Sequence, residues 1–248
     1  MKKYFLSLTL IFVMLLTLVG CINFNIGNEV ITGNGKKETH EIALENQLTG
    51  VRTLGAIDVI LDPQIDGKYI LEGDSNILDR ITVEQRSDGV LELGFNQNIS
   101  ITSFSNVKVY VPYIKGGLLE TASVGSISLK GDEPLRGDRF DLRISSTGNI
   151  ELVIKTIELK ANASSTGKIK ISGNANKAEI ILSSTGAFEG YEFNSADAIV
   201  YVYSTGSAYV NVVGELDVTI SGTGNVIYDG IPESIVVRGG GPGTVKPR

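Results

Sequence analysis

The stretch Ile144–Ile150, with the sequence ISSTGNI, decides the fold because near copies of it recur along the second half of the chain. Each copy carries small polar residues, then a glycine, then an apolar residue two positions later. Successive glycines are separated by 23, 19, 19, 20, 18 and 19 residues in the series Gly125, Gly148, Gly167, Gly186, Gly206, Gly224 and Gly243. A period of this length predicts a solenoid in which each repeat forms one turn.

Apolar residues occupy fixed positions relative to each of these glycines. They stand eight, six and four residues before it and two residues after it, as Leu159, Ala161, Ala163 and Ile169 do around Gly167. The residues between them are mostly polar, so each repeat alternates like a β-strand on both sides of a polar corner. We therefore expect one face of every strand to point into a continuous core.

One repeat alone would not be stable. Its few inward side chains contribute roughly 10 kcal/mol when buried, whereas ordering its backbone costs on the order of 20 to 40 kcal/mol. Stacked repeats supply the missing hydrogen bonds and share a core, with strands about 4.8 Å apart. The prediction is an all-β fold, a right-handed parallel β-helix of about six to seven coils over residues 116–248.

The corner needs glycine for one of two reasons, a positive φ angle or a close approach of neighbouring backbone. We interpret six of these residues as structural corners: Gly125, Gly148, Gly167, Gly186, Gly206 and Gly224. The residues before them predict a ladder of hydroxyl groups that hydrogen-bond to nearby backbone. Its threonines are Thr147, Thr166, Thr185, Thr205 and Thr223.

Two functional interpretations compete with this structural one. A serine nucleophile such as Ser146 is needed once and requires a base beside it, but the motif recurs and His40 is the only histidine. A regular hydroxyl face that binds ice or glycan is the second alternative. The repetition favours an architectural role for the corner.

A different β region precedes the repeats, at residues 38–115. Asp88 and Gly89 lie between two alternating segments and predict a hairpin, and a helical turn is expected over Ser75–Arg80. We expect this region to pair partly antiparallel and to cover the open end of the stack, so that residues 38–248 form one unit. At the other end, Gly239–Gly243 and Pro247 predict a blunted edge.

The first residues predict where in the cell the protein is located. Residues 1–20 combine two lysines with an apolar run too short for a comfortable membrane span, as in a signal peptide. Leu18–Cys21 resembles the lipobox of bacterial lipoproteins, which implies cleavage before Cys21 and a diacylglycerol on its sulfur. Residues 21–37 predict a lipidated tether. We expect the protein in the cell envelope, held to a bacterial membrane by lipid, and favour the outer membrane.

The charge of the chain argues against some partners. Without Lys2 and Lys3, 20 basic residues face 28 acidic ones, which leaves a net charge of −8 on the mature chain. Nucleic acid is therefore not an expected partner, because phosphate binding needs concentrated positive charge. We predict no cofactor and no metal.

Several blocks of sequence carry a family resemblance over residues 31–248. They are ITGNG at Ile31–Gly35, LGAIDV at Leu54–Val59, GDSNIL at Gly73–Leu78 ahead of Ile81–Leu93, and the series of Ser-Thr-Gly corners. In this order they resemble the head GIN domain family of bacterial autotransporter adhesins. The resemblance implies a β-helical envelope protein and offers no catalytic residues.

Two classes of function follow. The first is a non-enzymatic, lipid-anchored solenoid that binds a glycan or a surface protein. The alternative is a carbohydrate-active β-helix enzyme, a polysaccharide lyase or hydrolase, but acids such as Glu151, Glu179 and Asp217 are scattered over different columns. The densest acidic group, Asp132, Glu133, Asp138 and Asp141, fits a solvated loop, with a Ca²⁺ site as the alternative.

Tyrosine residues give the predicted ligand patch. Tyr201, Tyr203 and Tyr209 take outward positions by the column count. Aromatic faces suit sugar rings, although stacking between neighbouring strands explains such residues equally well.

Overall fold

The structure is a computed structural model that describes residues 29–96, 99–103 and 107–248. Residues 1–20 and Cys21, the predicted signal peptide and lipidation site, lie outside this range. The elements are β1 (Glu29–Thr32), β2 (Lys37–Ala43), β3 (Gly50–Thr53), β4 (Ile57–Leu61), β5 (Lys68–Asp74), α1 (Ser75–Leu78), β6 (Ile81–Gln85), β7 (Val90–Phe95), β8 (Ile99–Ser103), β9 (Val107–Val111), β10 (Gly117–Thr121), β11 (Ser126–Leu129), β12 (Leu135–Ile144), β13 (Asn149–Ala163), β14 (Lys168–Leu182), β15 (Ala187–Val202), β16 (Ala208–Val212), β17 (Glu215–Ile220), β18 (Val226–Asp229), β19 (Ser234–Arg238) and β20 (Val245–Pro247).

The repeats stack in the register that the glycine period predicts. Strands β13 and β14 are parallel, and Ile150 lies opposite Ile169 while Ala163 lies opposite Leu182. Each partner is thus the equivalent residue one repeat later. The 20-residue repeat, between Gly186 and Gly206, carries a register shift where β15 passes β14. The prediction of a β-solenoid of about six to seven coils is confirmed, and the structure has about seven turns.

Two parallel ladders form the solenoid, one on each side of the corner. The first ladder holds the strand segments before the corner, in the stacking order β7, β3, β10, β12, the later parts of β13, β14 and β15, then β17 and β19. The second ladder holds the segments after it, in the order β9, β4, β11, the early parts of β13, β14 and β15, then β16, β18 and β20.

The apolar columns fill the space between the ladders, as predicted, in every turn but the last. Phe140 and Leu142 of the first ladder are fully buried, and so is Ile150 of the second. In β19, however, Ile235 is 40% exposed and Val237 is 56% exposed. Their columns are buried elsewhere because the next turn covers them, and no described strand follows β19 in the ladder.

The N-terminal region extends the stack further upstream than the sequence indicated. Strands β3 and β4 lie parallel on β10 and β11, and β7 and β9 add one more layer. The series of corner glycines did not reveal these turns, because Ile57 occupies the position where later corners have glycine. Antiparallel strands then close this end: β6 pairs with β7, and β5 pairs with β9 and β2. The predicted partly antiparallel cap is confirmed.

Part of the predicted tether is wrong. Residues 29–32 form β1, which pairs parallel with β8, and Ile31 is buried against the core. Lys37 already belongs to β2. Burial of the Ile31 side chain outweighed the polar composition of the segment. The helical turn is present as α1, and the hairpin turns at Gly89 with φ of 84°.

Helices contribute little to this part of the chain. None in the described ranges is both long and apolar enough to cross a membrane.

Candidate functional site

Close backbone approach, not a positive φ angle, explains the corner glycines. A Cβ on Gly167 would lie 2.1 Å from the carbonyl oxygen of Gly148, and one on Gly206 would lie 2.2 Å from that of Gly186. Neither residue has a positive φ angle. Each corner therefore rests on the carbonyl group of the corner before it, where any side chain would force the turns apart.

Backbone N–H groups of each corner donate hydrogen bonds to backbone carbonyl groups of the corner before it. Gly167 donates its N–H to the carbonyl of Ser146 at 3.1 Å, and Ser164 donates its N–H to the carbonyl of Ile144 at 2.9 Å. The same pattern recurs at later corners. Hydroxyl groups contribute less to these contacts: from Gly148 onward, the Oγ of Ser164 donates to the carbonyl of Ile144 at 3.2 Å.

The five threonines of the hydroxyl ladder are all exposed. None of their hydroxyl groups has a hydrogen-bond partner among the described residues. Buried hydroxyls act instead in the two upstream corners, where Thr53 Oγ1 donates to the Gly55 carbonyl and Thr121 Oγ1 donates to the Gly125 carbonyl at 2.9 Å. The stacked threonines Thr53 and Thr121 share an inward column whose other members are apolar, and this was the signal that sequence reasoning missed.

The predicted tyrosine patch divides between the two ladders. Tyr201 and Tyr203 stack on the outer side of the first ladder, with ring centroids 5.9 Å apart and planes 12° from parallel. Tyr209 lies on the second ladder against Tyr191, at 4.7 Å and 43°. Arg248 lies 4.5 Å above the Tyr191 ring, and burial raises the pKa of that tyrosine. Column parity identified outward residues correctly but did not distinguish the ladders.

A groove runs along the first ladder beside the Tyr201–Tyr203 pair. Its volume is about 350 Å³. Ile199, 43% exposed, is an apolar wall two residues before Tyr201 on the same strand. The other lining residues are mostly charged and include Glu158, Lys160, Lys177, Glu179, Glu215 and Asp217.

Ion pairs along the stack hold several of these side chains. Lys160 lies 3.0 Å from Glu179, and Asp217 pairs with Arg238. Lys177 and Glu215 have no ion-pair partner in the part of the chain that the structure describes. The groove therefore offers one exposed apolar side chain, Ile199, and free charged groups of both signs, and Tyr201 lies two residues beyond Ile199 on the same strand. Sequence reasoning treated these acids as scattered because it did not place adjacent columns on one surface.

Metal ligation finds no support in the described ranges. No cluster of three or more His, Cys, Asp or Glu side chains there could hold a metal ion. The acidic group proposed as a Ca²⁺ alternative is dispersed: Asp132 and Glu133 lie in the loop before β12, whereas Asp141 pairs with Arg143 within that strand.

Solved structures of Bacteroides and Parabacteroides proteins share this fold. A "putative adhesin" from Bacteroides fragilis has a TM-score of 0.75 at 20% identity, with 88% of this chain and 100% of that chain covered. A "putative lipid binding protein" from Parabacteroides distasonis has a TM-score of 0.70 at 21% identity, with 89% and 100% covered. A "putative adhesin" from the same species has a TM-score of 0.69 at 20% identity, also with 89% and 100% covered.

Sequence comparison identifies the family. No curated protein matches the chain. The family model described as "Putative auto-transporter adhesin, head GIN domain" matches residues 47–232. Because that match covers most of the sequence, the chain belongs to the head GIN domain family of auto-transporter adhesins.

Proposed function

We propose that this protein is a lipid-anchored binding protein of the bacterial cell envelope that recognises glycans along its first ladder. The observation that carries the proposal is the stacked pair Tyr201 and Tyr203 beside the charged groove. A family described as adhesins and a rigid solenoid support a binding role.

The chemistry of the surface favours sugars over other ligands. Tyrosine rings present apolar faces to the C–H groups of a pyranose, while their hydroxyls remain solvated. The free ammonium group of Lys177 and the free carboxylate of Glu215 can respectively donate to and accept from sugar hydroxyls. One solved neighbour is described as lipid binding, but a groove lined mainly by charged groups does not suit an acyl chain.

The anchor rests on Cys21 and the leader before it. We expect metabolic labelling with a radioactive fatty acid to mark the full-length protein in bacteria. Cys21→Ser should abolish the label and release the protein from the membrane fraction. A variant that keeps both properties would contradict lipidation at this residue.

In this proposal the protein binds glycans and does not cleave them. The carboxylates of Glu158, Glu179 and Asp217 each lie in an ion pair along the stack, an arrangement that stabilises a repetitive sheet surface. Incubation with plant and bacterial polysaccharides should give no new reducing ends and no unsaturated products. Either product would favour the enzymatic alternative.

A glycan array tests the binding surface. Full-length protein in detergent should bind a subset of glycans, and Tyr201→Ala and Tyr203→Ala should each weaken binding at least about tenfold, as expected when an interaction worth about 1.4 kcal/mol is lost. Tyr209→Ala is the matched control, because it removes a ring from the other ladder. Undiminished binding by both first-ladder variants, or no binding by the wild type, would refute the glycan site.

Exposure on the cell is tested separately. Protease treatment of intact cells should degrade the protein if it faces outward. Protection until the envelope is opened would place it on an inner face and direct the search to envelope glycans.

A further inference from the structure

A second cavity lies on the first ladder, next to the candidate groove. Its volume is also about 350 Å³, and its lining includes Gln47, Thr49, Lys115 and Asp138. Arg139 lines this cavity as well as the candidate groove, so the two meet at that side chain. Together they form one continuous depression along the outside of the first ladder, called the extended groove below.

The extended groove crosses seven successive turns of the solenoid. Gln47–Thr49 precede β3, Lys115 and Gly116 precede β10, and the other lining residues include members of β12, β13, β14, β15 and β17. Neighbouring turns are about 4.8 Å apart, so the groove is about 29 Å long. One or two sugar units would fill a small part of this length. An extended chain that advances by about one turn spacing per sugar would fill it with about six units.

The sign of the charge alternates along most of the extended groove. One outward position of the repeat carries opposite charges on four successive turns, in the order Arg139, Glu158, Lys177 and Asp197. Glu215 lines the next turn and is a second carboxylate in succession. A polymer with the same charge on every unit, such as a polyuronate or a polyamine, would meet a like charge on several turns. An uncharged chain would meet a hydrogen-bonding group on every one of these turns without repulsion.

Unpaired charged groups occur at both ends of the extended groove. Lys177 and Glu215 lie towards one end, and Lys115 and Asp138 lie in the second cavity at the other. None of the four has an ion-pair partner among the residues that the structure describes. Lys115 lies four turns from Tyr201, a distance of about 19 Å along the solenoid. A ligand that contacts both residues must therefore be an oligomer.

We propose that the ligand is a linear, uncharged polysaccharide that lies parallel to the solenoid axis and occupies the extended groove. This inference rests on the glycan site proposed above, and it specifies the charge, the direction and the length of the ligand. Both cavities contribute to one binding site, in which successive sugar units contact successive turns.

The dependence of affinity on chain length tests the proposal. Isothermal titration calorimetry with full-length protein in detergent uses linear oligosaccharides of two to eight units, made of β-1,4-linked glucose, mannose or xylose or of β-1,3-linked glucose. For at least one series, the affinity should rise at least about tenfold from two units to six and then level off as the groove fills. Galacturonic acid oligomers of the same lengths should bind at least about tenfold more weakly than that series.

Lys115→Ala and Asp138→Ala test the far end of the site. Each should weaken binding of the six-unit probe at least about threefold, as expected for the loss of one hydrogen bond, and leave binding of the two-unit probe unchanged. Lys155→Ala is the matched control, because Lys155 is an exposed lysine of β13 that lines neither cavity. It should change the binding of neither probe.

The possible failures of the two proposals can be told apart. Equal affinity at all lengths, a preference for galacturonic acid oligomers, unchanged binding by both far-end variants, or no binding of any neutral series would overturn the extended site. The glycan site at Tyr201 would survive each of these results if Tyr201→Ala and Tyr203→Ala still weakened binding of a glycan from the array. A wild type that binds no glycan on the array would refute both.

Discussion

Replacing Gly167 by alanine tests the close packing of the corners. A Cβ at this position would lie 2.1 Å from the carbonyl oxygen of Gly148 and 2.5 Å from Cγ2 of Ile144. Cβ atoms essentially never approach other heavy atoms within 3.0 Å. The two turns would therefore have to separate locally by about 0.9 Å.

That separation has a cost that follows from the corner hydrogen bonds. The bonds from Gly167 N–H and Ser164 N–H, now 3.1 Å and 2.9 Å, would stretch beyond about 3.5 Å. Losing both costs about 2 kcal/mol, and residual overpacking adds about 1 to 3 kcal/mol. We expect Gly167→Ala to lower the free energy of unfolding by about 3 to 5 kcal/mol.

Urea unfolding followed by circular dichroism measures the effect, with two controls. Gly240→Ala adds the same methyl group where nothing lies within 4 Å, and Thr166→Ala alters an exposed neighbour in the corner. Each should change the free energy of unfolding by less than about 0.5 kcal/mol. Equal stability of Gly167→Ala and Gly240→Ala would refute close approach as the reason for the glycine column.

Two further predictions concern the core and the pH dependence of stability. Phe140→Ala should lower the free energy of unfolding by about 3 to 5 kcal/mol because Phe140 is fully buried. In the same urea assay, Ile199→Ala should lower it by less than about 1 kcal/mol. Similar values for both variants would contradict the position of the core. Burial of Asp62 acts to raise its pKa, but the hydrogen bond from Lys130 at 2.7 Å, the Gln64 N–H and the charge of Lys130 together lower it. The resulting stabilisation is complete above the unfolded pKa of about 3.9 and is lost as the pH falls through the lower folded value. Melting temperatures from pH 7 to pH 2 should therefore fall more steeply for the wild type than for Asp62→Asn, and parallel curves would contradict a lowered pKa.

The repeat architecture could be predicted because a constant spacing of the glycines along the sequence requires each residue to pair with its equivalent one repeat later. Once Ile150 and Ile169 occupy equivalent positions, parallel stacking must place them opposite each other. Two physical explanations for the corner glycines were compatible with the sequence, because positive φ and close approach both exclude a side chain. Only the position of the Gly148 carbonyl distinguishes them.

Other features depend on how separate segments meet. The layers upstream of Gly125 carry Ile57 at the corner, so no period revealed them. The candidate groove combines residues from adjacent columns of several turns, and no single repeat contains it. Ile235 and Val237 are exposed because no described strand follows β19 in the first ladder, and the column pattern alone does not show this.

Every residue of β13 that pairs with β14 lies opposite the residue 19 positions later, so one turn can be removed or repeated without changing the pairing of the others. Removing residues 149–167 would join Gly148 to Lys168, bring β12 against β14 and shorten the molecule by about 4.8 Å. Duplicating the same segment would lengthen it by as much, with an unchanged cross-section. The length of such a molecule therefore changes by whole turns, so duplication of one repeat within the gene is enough to increase the distance between its two ends.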